Sequence, residues 1–245
     1  MTPFIAEVIG TGILILLGGG VVANVVLNGT KGHNSGWIVI TTAWALAVFA
    51  GVVIAAPYSG AHLNPAVTLA MFIAGNIDAA SSVLYVAGQF IGAMAGAFIV
   101  WLVYQDHFRI TENPGAKQAV FCTAPAIRNL PVNLIGEAVG TFVLILTIFY
   151  FTDAELTDER AIPIGLGSLG ALPVAFLVWV IGLSLGGTTG YAINPARDLG
   201  PRIVHALLPI KNKARFDASY AWVPVIGPLI GATLATAIFL WLGTA

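Results

Sequence analysis

The chain has 245 residues, 58% hydrophobic and only 9% charged, with a net charge of −1 and a mean hydropathy of +0.92. Soluble domains carry roughly 25% charged residues, so the composition excludes an ordinary water-soluble fold, and the balanced charge excludes a nucleic-acid-binding surface. A lone cysteine, Cys122, excludes an internal disulfide and reads as an ordinary loop or packing thiol.

Taken in chain order, the first apolar run is Phe4–Leu27. It is not a cleaved signal peptide, because no charged segment precedes it and it is too long. Trp37–Pro57 and Val83–Val103 follow, and between them lies Leu63–Ala74, apolar but too short to cross a bilayer. After the polar connection Asp106–Pro131 come Leu134–Phe151, a second polar connection at Thr152–Ala161, and Ile162–Ser184. The second short apolar run, Ile193–His205, precedes the last long one, Ala221–Leu242. Each long run is near the ~20 residues that span ~30 Å of hydrocarbon, whereas the short runs fit re-entrant segments. The expectation is an all-α membrane protein with six transmembrane helices and two re-entrant half-helices. No Pro-rich or Ser-rich linker divides the chain, so residues 1–245 read as one membrane domain.

The two halves repeat one another. Asn64-Pro65-Ala66 recurs as Asn194-Pro195-Ala196, and Glu7-Val8-Ile9-Gly10-Thr11 recurs as Glu137-Ala138-Val139-Gly140-Thr141, both 130 positions on. The glycine-spaced stretch Gln89–Ala97 resembles Pro224–Ala232 at a slightly larger offset, and the extra residues fall in Lys211–Ala221. Three spans per half is an odd number, so residues 131–245 enter from the side opposite to residues 1–105. Such inverted repeats place their functional site near the midplane. Gly88, Gly92 and Gly96, with Gly227 and Gly231, sit at small-residue spacing for close helix packing.

Each Asn-Pro-Ala joins an N-cap residue to Pro at the first helical position, where the missing N–H is not needed. Two half-helices starting there, each roughly 15 Å long for ten residues, meet at the centre with their positive dipole ends facing. The Asn64 and Asn194 carboxamide oxygens cap backbone donors, which leaves their NH₂ groups to donate into a lumen. Cations, hydronium included, meet positive potential there without compensation for lost hydration. Upstream, Gly60-Ala61-His62-Leu63 and Gly190-Tyr191-Ala192-Ile193 are expected to be extended, with carbonyls along the pore. Arg197 sits on the first turn of the second half-helix, where a charge at depth marks a water-filled path. Asp198 beside it is a salt-bridge partner or a cap. Glu7 and Glu137 are expected to pin the loops before the half-helices by accepting backbone N–H groups. Gly165–Gly170 matches GxGxxG but lacks a preceding strand, so it does not signal a dinucleotide. No Cys, His or carboxylate cluster has metal-ligand spacing, and no metal or cofactor is expected. The acidic run Asp153–Glu159 reads as a solvated loop.

At these residues the chain resembles the aquaporin, or major intrinsic protein, family over nearly its whole length. The resemblance implies one pore per subunit, a homotetramer and no enzymatic activity. Arg197-Asp198 after the second motif resembles the glycerol-facilitator branch, as do Arg202, where that branch often has Lys, and Pro224-Val225. The family's four constriction positions fall on Trp44, Gly182, Tyr191 and Arg197. Gly182 leaves space that a His would close. Trp44 and Tyr191 form an apolar corner for a carbon backbone, with Arg197 donating to hydroxyls opposite. At Tyr191, where the branch typically has Phe, the extra hydroxyl either narrows the pore or adds a polar contact.

The function implied is passive diffusion of glycerol and similar small neutral solutes, with some water, excluding ions and protons. The alternatives are a mainly water-conducting channel and an ion-coupled secondary transporter, which also uses inverted repeats and broken helices. The family implies both termini on the cytoplasmic side of the cell membrane. That orientation puts Lys31, Arg109, Lys117, Arg128, Lys211, Lys213 and Arg215 outside and only Arg160 in an inside loop, against the positive-inside rule.

Overall fold

A computed structural model describes residues 1–152, 154–155 and 164–243. The helices, in order, are α1 (Pro3–Val26), α2 (Trp37–Ser59), α3 (Pro65–Ile73), α4 (Ala79–Val103), α5 (Gln105–Ile110), α6 (Pro114–Ala119), α7 (Leu130–Phe149), α8 (Leu172–Leu185), α9 (Pro195–Leu207), α10 (Ala218–Ala221) and α11 (Val223–Leu242). A 3₁₀ turn over Gly167–Ala171 leads into α8, and together they make the fifth membrane-length segment. It begins later than the expected Ile162, which lies outside the described residues, as does most of Asp153–Glu159. The GxGxxG stretch falls largely in that 3₁₀ turn rather than between a strand and a helix.

Six segments of 19 to 25 residues are apolar enough to cross a membrane, and the chain is a multi-pass membrane protein. Their starts follow local chemistry. Thr2 caps α1, Asp78 caps α4 and Asn129 caps α7 through side-chain oxygens, with Pro in the first turn of α1 and α7. Leu and Ile cover the outer surface, which water cannot reward but lipid does.

Helices pack where side chains vanish. α1 runs against α2 and α4, and α7 against α11. A Cβ at Gly92 would strike the Val8 carbonyl, and one at Gly231 would strike the Ala138 carbonyl. Backbone-to-backbone approach of this kind is what small residues permit in membranes. α3 and α9 are single short helices of 9 and 13 residues, about 14 Å and 20 Å long at 1.5 Å per residue. Both lodge against α4 and α11 and touch each other. The connection expected to be merely polar, Asp106–Pro131, holds α5 and α6. It is stapled to the segment after α9 by Lys117 Nζ to Lys211 O at 2.6 Å and Gln118 Nε2 to Arg215 O at 3.3 Å.

Candidate functional site

The meeting of the two short helices is built by their N-cap residues. Asn64 Oδ1 accepts from Ala66 N at 2.9 Å, and Asn194 Oδ1 accepts from Ala196 N at 3.0 Å and Arg197 N at 3.1 Å. Each Nδ2 then reaches across: Asn64 to Ile193 O and Asn194 to Leu63 O, both at 2.8 Å. The NH₂ groups are therefore not wholly free, as the sequence suggested; each spends one N–H bracing the opposite loop and keeps one. The reciprocal bonds fix both dipole-positive ends against each other, with Pro65, Ala66, Pro195 and Ala196 buried around them.

The loops before α3 and α9 are not extended. Ala61, Leu63, Tyr191 and Ile193 have φ of 54°, 51°, 37° and 42°, and Gly60 and Gly190 have 74° and 85°. Left-handed backbone at a non-glycine residue costs of order 1–3 kcal/mol. The alternation turns successive N–H groups to one side and carbonyls to the other, a pattern that hydrophobic periodicity does not reveal. Two buried carboxylates hold the N–H side. Glu7 accepts from His62 N at 3.0 Å, Leu63 N at 2.7 Å, Ser59 Oγ at 2.6 Å and Gln89 Nε2 at 2.7 Å. Glu137 accepts from Ala192 N at 3.0 Å and Ile193 N at 2.8 Å. Among the described residues no donor meets the carbonyls of Gly60, Ala61, His62, Gly190, Tyr191 or Ala192.

A cavity of about 410 Å³ runs past these loops. Gly60–Asn64 and Tyr191–Asn194 line it together with Leu14, Val48, Val52, Leu144, Val174 and Val178. His62 is among them, with its Nδ1 3.1 Å from Thr68 Oγ1. The lining is thus of two kinds, residues of the two loops and aliphatic side chains.

Trp44, Tyr191 and Arg197 share this cavity. Their arrangement differs from the expected corner in two respects. First, the Arg197 guanidinium does not face Trp44 across the lumen; its carbon lies 4.1 Å from the Trp44 ring centroid, in cation–π contact. No protein group among the described residues accepts from that guanidinium, which leaves its donors for a solute. Second, the space at Gly182 is not open: a Cβ there would lie 2.8 Å from Tyr191 Cζ. Tyr191 fills it with its ring, edge-on to Trp37 at 5.8 Å, and its hydroxyl is buried without a partner among the described residues. That hydroxyl neither lines the lumen nor bonds a neighbour.

Asp198 turns away from the lumen. It pairs with Arg202, Nη2 to Oδ1 at 2.8 Å and Nε to Oδ1 at 2.9 Å, both side chains being almost fully enclosed. Asp198 Oδ2 also accepts from Thr123 N and Thr123 Oγ1, each at 2.7 Å, and Arg202 Nη2 donates to Thr123 O at 2.7 Å. Thr123 in turn presses on Gly190, where a Cβ would lie 3.2 Å from its methyl. Sequence reasoning missed Thr123 altogether, since a lone Thr in a polar connection carries no pattern. The Asp198–Arg202 pair was legible as an i,i+4 spacing.

A profile of the major intrinsic protein family matches residues 1–239. The chain is 50% identical over 242 residues to a probable glycerol uptake facilitator protein of Thermotoga maritima, covering 99% of this chain and 100% of that one. It is 52% identical over 239 residues to a glycerol uptake facilitator protein of Streptococcus pneumoniae, covering 98% of each. Its fold is similar to the crystal structure of the aquaglyceroporin from Plasmodium falciparum, with a TM-score of 0.79, 31% identity and coverage of 96% and 93%.

Proposed function

The chain belongs to the major intrinsic protein family, and on that premise we propose that it is a passive channel for glycerol and similar small neutral solutes, with some water. The observation that carries this reading is the reciprocal Asn64–Ile193 and Asn194–Leu63 bonding in a cavity with these two kinds of lining. A polyol matches both: hydroxyls for the carbonyls and for Arg197, carbon for the aliphatic side chains. Trp44, Gly182, Tyr191 and Arg197 are the constriction, and Arg197 with the paired helix ends rejects cations and protons. Glu7 and Glu137 support the loops, and Asp198 supports the filter from behind.

Two observations weigh against a coupled transporter. No carboxylate lines the cavity among the described residues. The acids nearest the loops are all engaged, Glu7 and Glu137 by donors and Asp198 by Arg202. We read the chain as a channel rather than an enzyme. Residues 1–105 and 131–245 act as inverted repeats of one domain, both termini are cytoplasmic, and the working form is a homotetramer in the cell membrane.

Stopped-flow light scattering on proteoliposomes tests the function. Glycerol must equilibrate faster than in empty vesicles, without any ion gradient, and larger polyols must lag. Rates equal to those of empty vesicles for glycerol refute the facilitator reading. Accessibility of a tag at the N-terminus decides the orientation.

A further inference from the structure

Two glycines outside the cavity lining lie against rings that belong to it. Trp44 and Tyr191 are large rings on the cavity wall, and each has a glycine packed against it with no room for a Cβ. A Cβ added at Gly18, in the middle of α1, would lie 2.5 Å from Trp44 Cε3 and Cη2 and closer still to Cζ3. One added at Gly186 would lie 2.5 Å from Tyr191 Cδ1 and 2.8 Å from Trp37 Cζ2. Neither glycine lines the cavity, whereas both rings do.

We propose that Gly18 is a specificity-determining residue, setting the lumen width through the seat it gives Trp44; this deepens the channel reading above and rests on it. Carbon atoms settle about 3.5–4.0 Å apart, so a methyl at position 18 drives the indole about 1 Å off α1. The α1 backbone has little room to retreat on the α4 side, where a Cβ at Gly92 would strike Val8 O and one at Gly96 would strike Gly12 O. The ring already carries the Arg197 guanidinium over it at 4.1 Å, so displacement moves ring and cation together into the cavity they line. The lumen then narrows by a distance that matters for a carbon chain more than for a single oxygen. Gly20 offers an internal control, because a Cβ there meets nothing within 4 Å.

The test compares wild type, Gly18→Ala, Gly20→Ala and the double variant Gly18→Ala/Trp44→Phe in proteoliposomes, with water and glycerol permeability read on the same vesicles. Gly18→Ala is expected to lose at least about tenfold in glycerol permeability, the scale of one methylene in a fitted pocket, with a smaller loss for water. Gly20→Ala matches wild type, and the smaller Phe ring in the double variant restores glycerol flux. A Gly18→Ala channel with an unchanged glycerol-to-water ratio overturns the inference. If Gly18→Ala fails to insert, the double variant decides: it must insert and conduct, and failure there overturns the inference too. Should the wild type itself pass water but no glycerol, the glycerol reading falls, and the Gly18 inference stands or falls on a reduced water rate.

Discussion

Replacing Arg202 with Met tests how the filter is held. Arg202 and Asp198 are 1% and 0% exposed at their side chains, and Arg202 bonds Asp198, Thr123 O and Phe216 O. Met keeps the bulk but strands a carboxylate in a place without water, leaving it only the N–H and hydroxyl of Thr123. Breaking one side of a buried pair costs about 3–5 kcal/mol. For a chain of this size each kcal/mol moves Tm by about 2–4 °C, so the loss is about 6–20 °C, measured by thermal unfolding in detergent. Thr123 loses the bond from Arg202 to its carbonyl, which loosens its hold behind Gly190, and solute selectivity must loosen in the same variant. The exposed Arg109–Asp106 pair, 70% and 87% exposed, supplies the contrast. Surface pairs contribute about 0–1 kcal/mol, and Arg109→Met is expected to leave Tm almost unchanged. A Tm for Arg202→Met as close to wild type as that of Arg109→Met refutes the reasoning.

Three other outcomes follow from the same geometry. Arg197→Ala removes the unpaired guanidinium over Trp44, so larger or charged solutes enter; unchanged solute and proton exclusion in liposomes counts against Arg197 as the filter. Tyr191→Phe deletes a buried hydroxyl that has no partner among the described residues, so Tm holds or rises, by about 1 kcal/mol of added stability, and the glycerol-to-water ratio stays put; a changed ratio shows that the hydroxyl reaches the solute after all. Asp217 accepts both arms of Arg128 at 2.9 Å, and Ser219 Oγ at 2.8 Å adds to it; these bonds, Arg128 first, pull its carboxyl from 3.8 to about 2. An acid depressed on folding stabilises the protein above its unfolded value, and that contribution is lost as pH falls through the folded one. Asp217→Asn therefore lowers Tm at neutral pH, and its gap to wild type closes as pH falls from about 4 towards 2; a gap constant over that range shows that the bridge contributes nothing.

The membrane class, the six spans and the paired half-helices were all legible in the amino-acid order. Those rest on local signals: run length against bilayer thickness, and Asn-Pro at a helix start. The amino-acid order also reached Glu7 and Glu137 as loop supports, because a repeated buried acid needs donors and irregular backbone supplies them. What it missed involves partners distant in the chain. The crossed asparagine bonds join residues 129 and 131 positions apart, and Thr123 meets Asp198 across 75. Left-handed φ at Ala61, Leu63, Tyr191 and Ile193 runs against their intrinsic preference, and distant carboxylates hold the N–H groups of His62, Leu63, Ala192 and Ile193 in these loops. The constriction followed the same rule. The family resemblance supplied its expected members, but whether Gly182 is space or a seat, and whether Arg197 faces Trp44 or lies on it, depended on how α1, α2, α8 and α9 pack. Packing is a property of surfaces brought together, and only the tertiary structure brings them together.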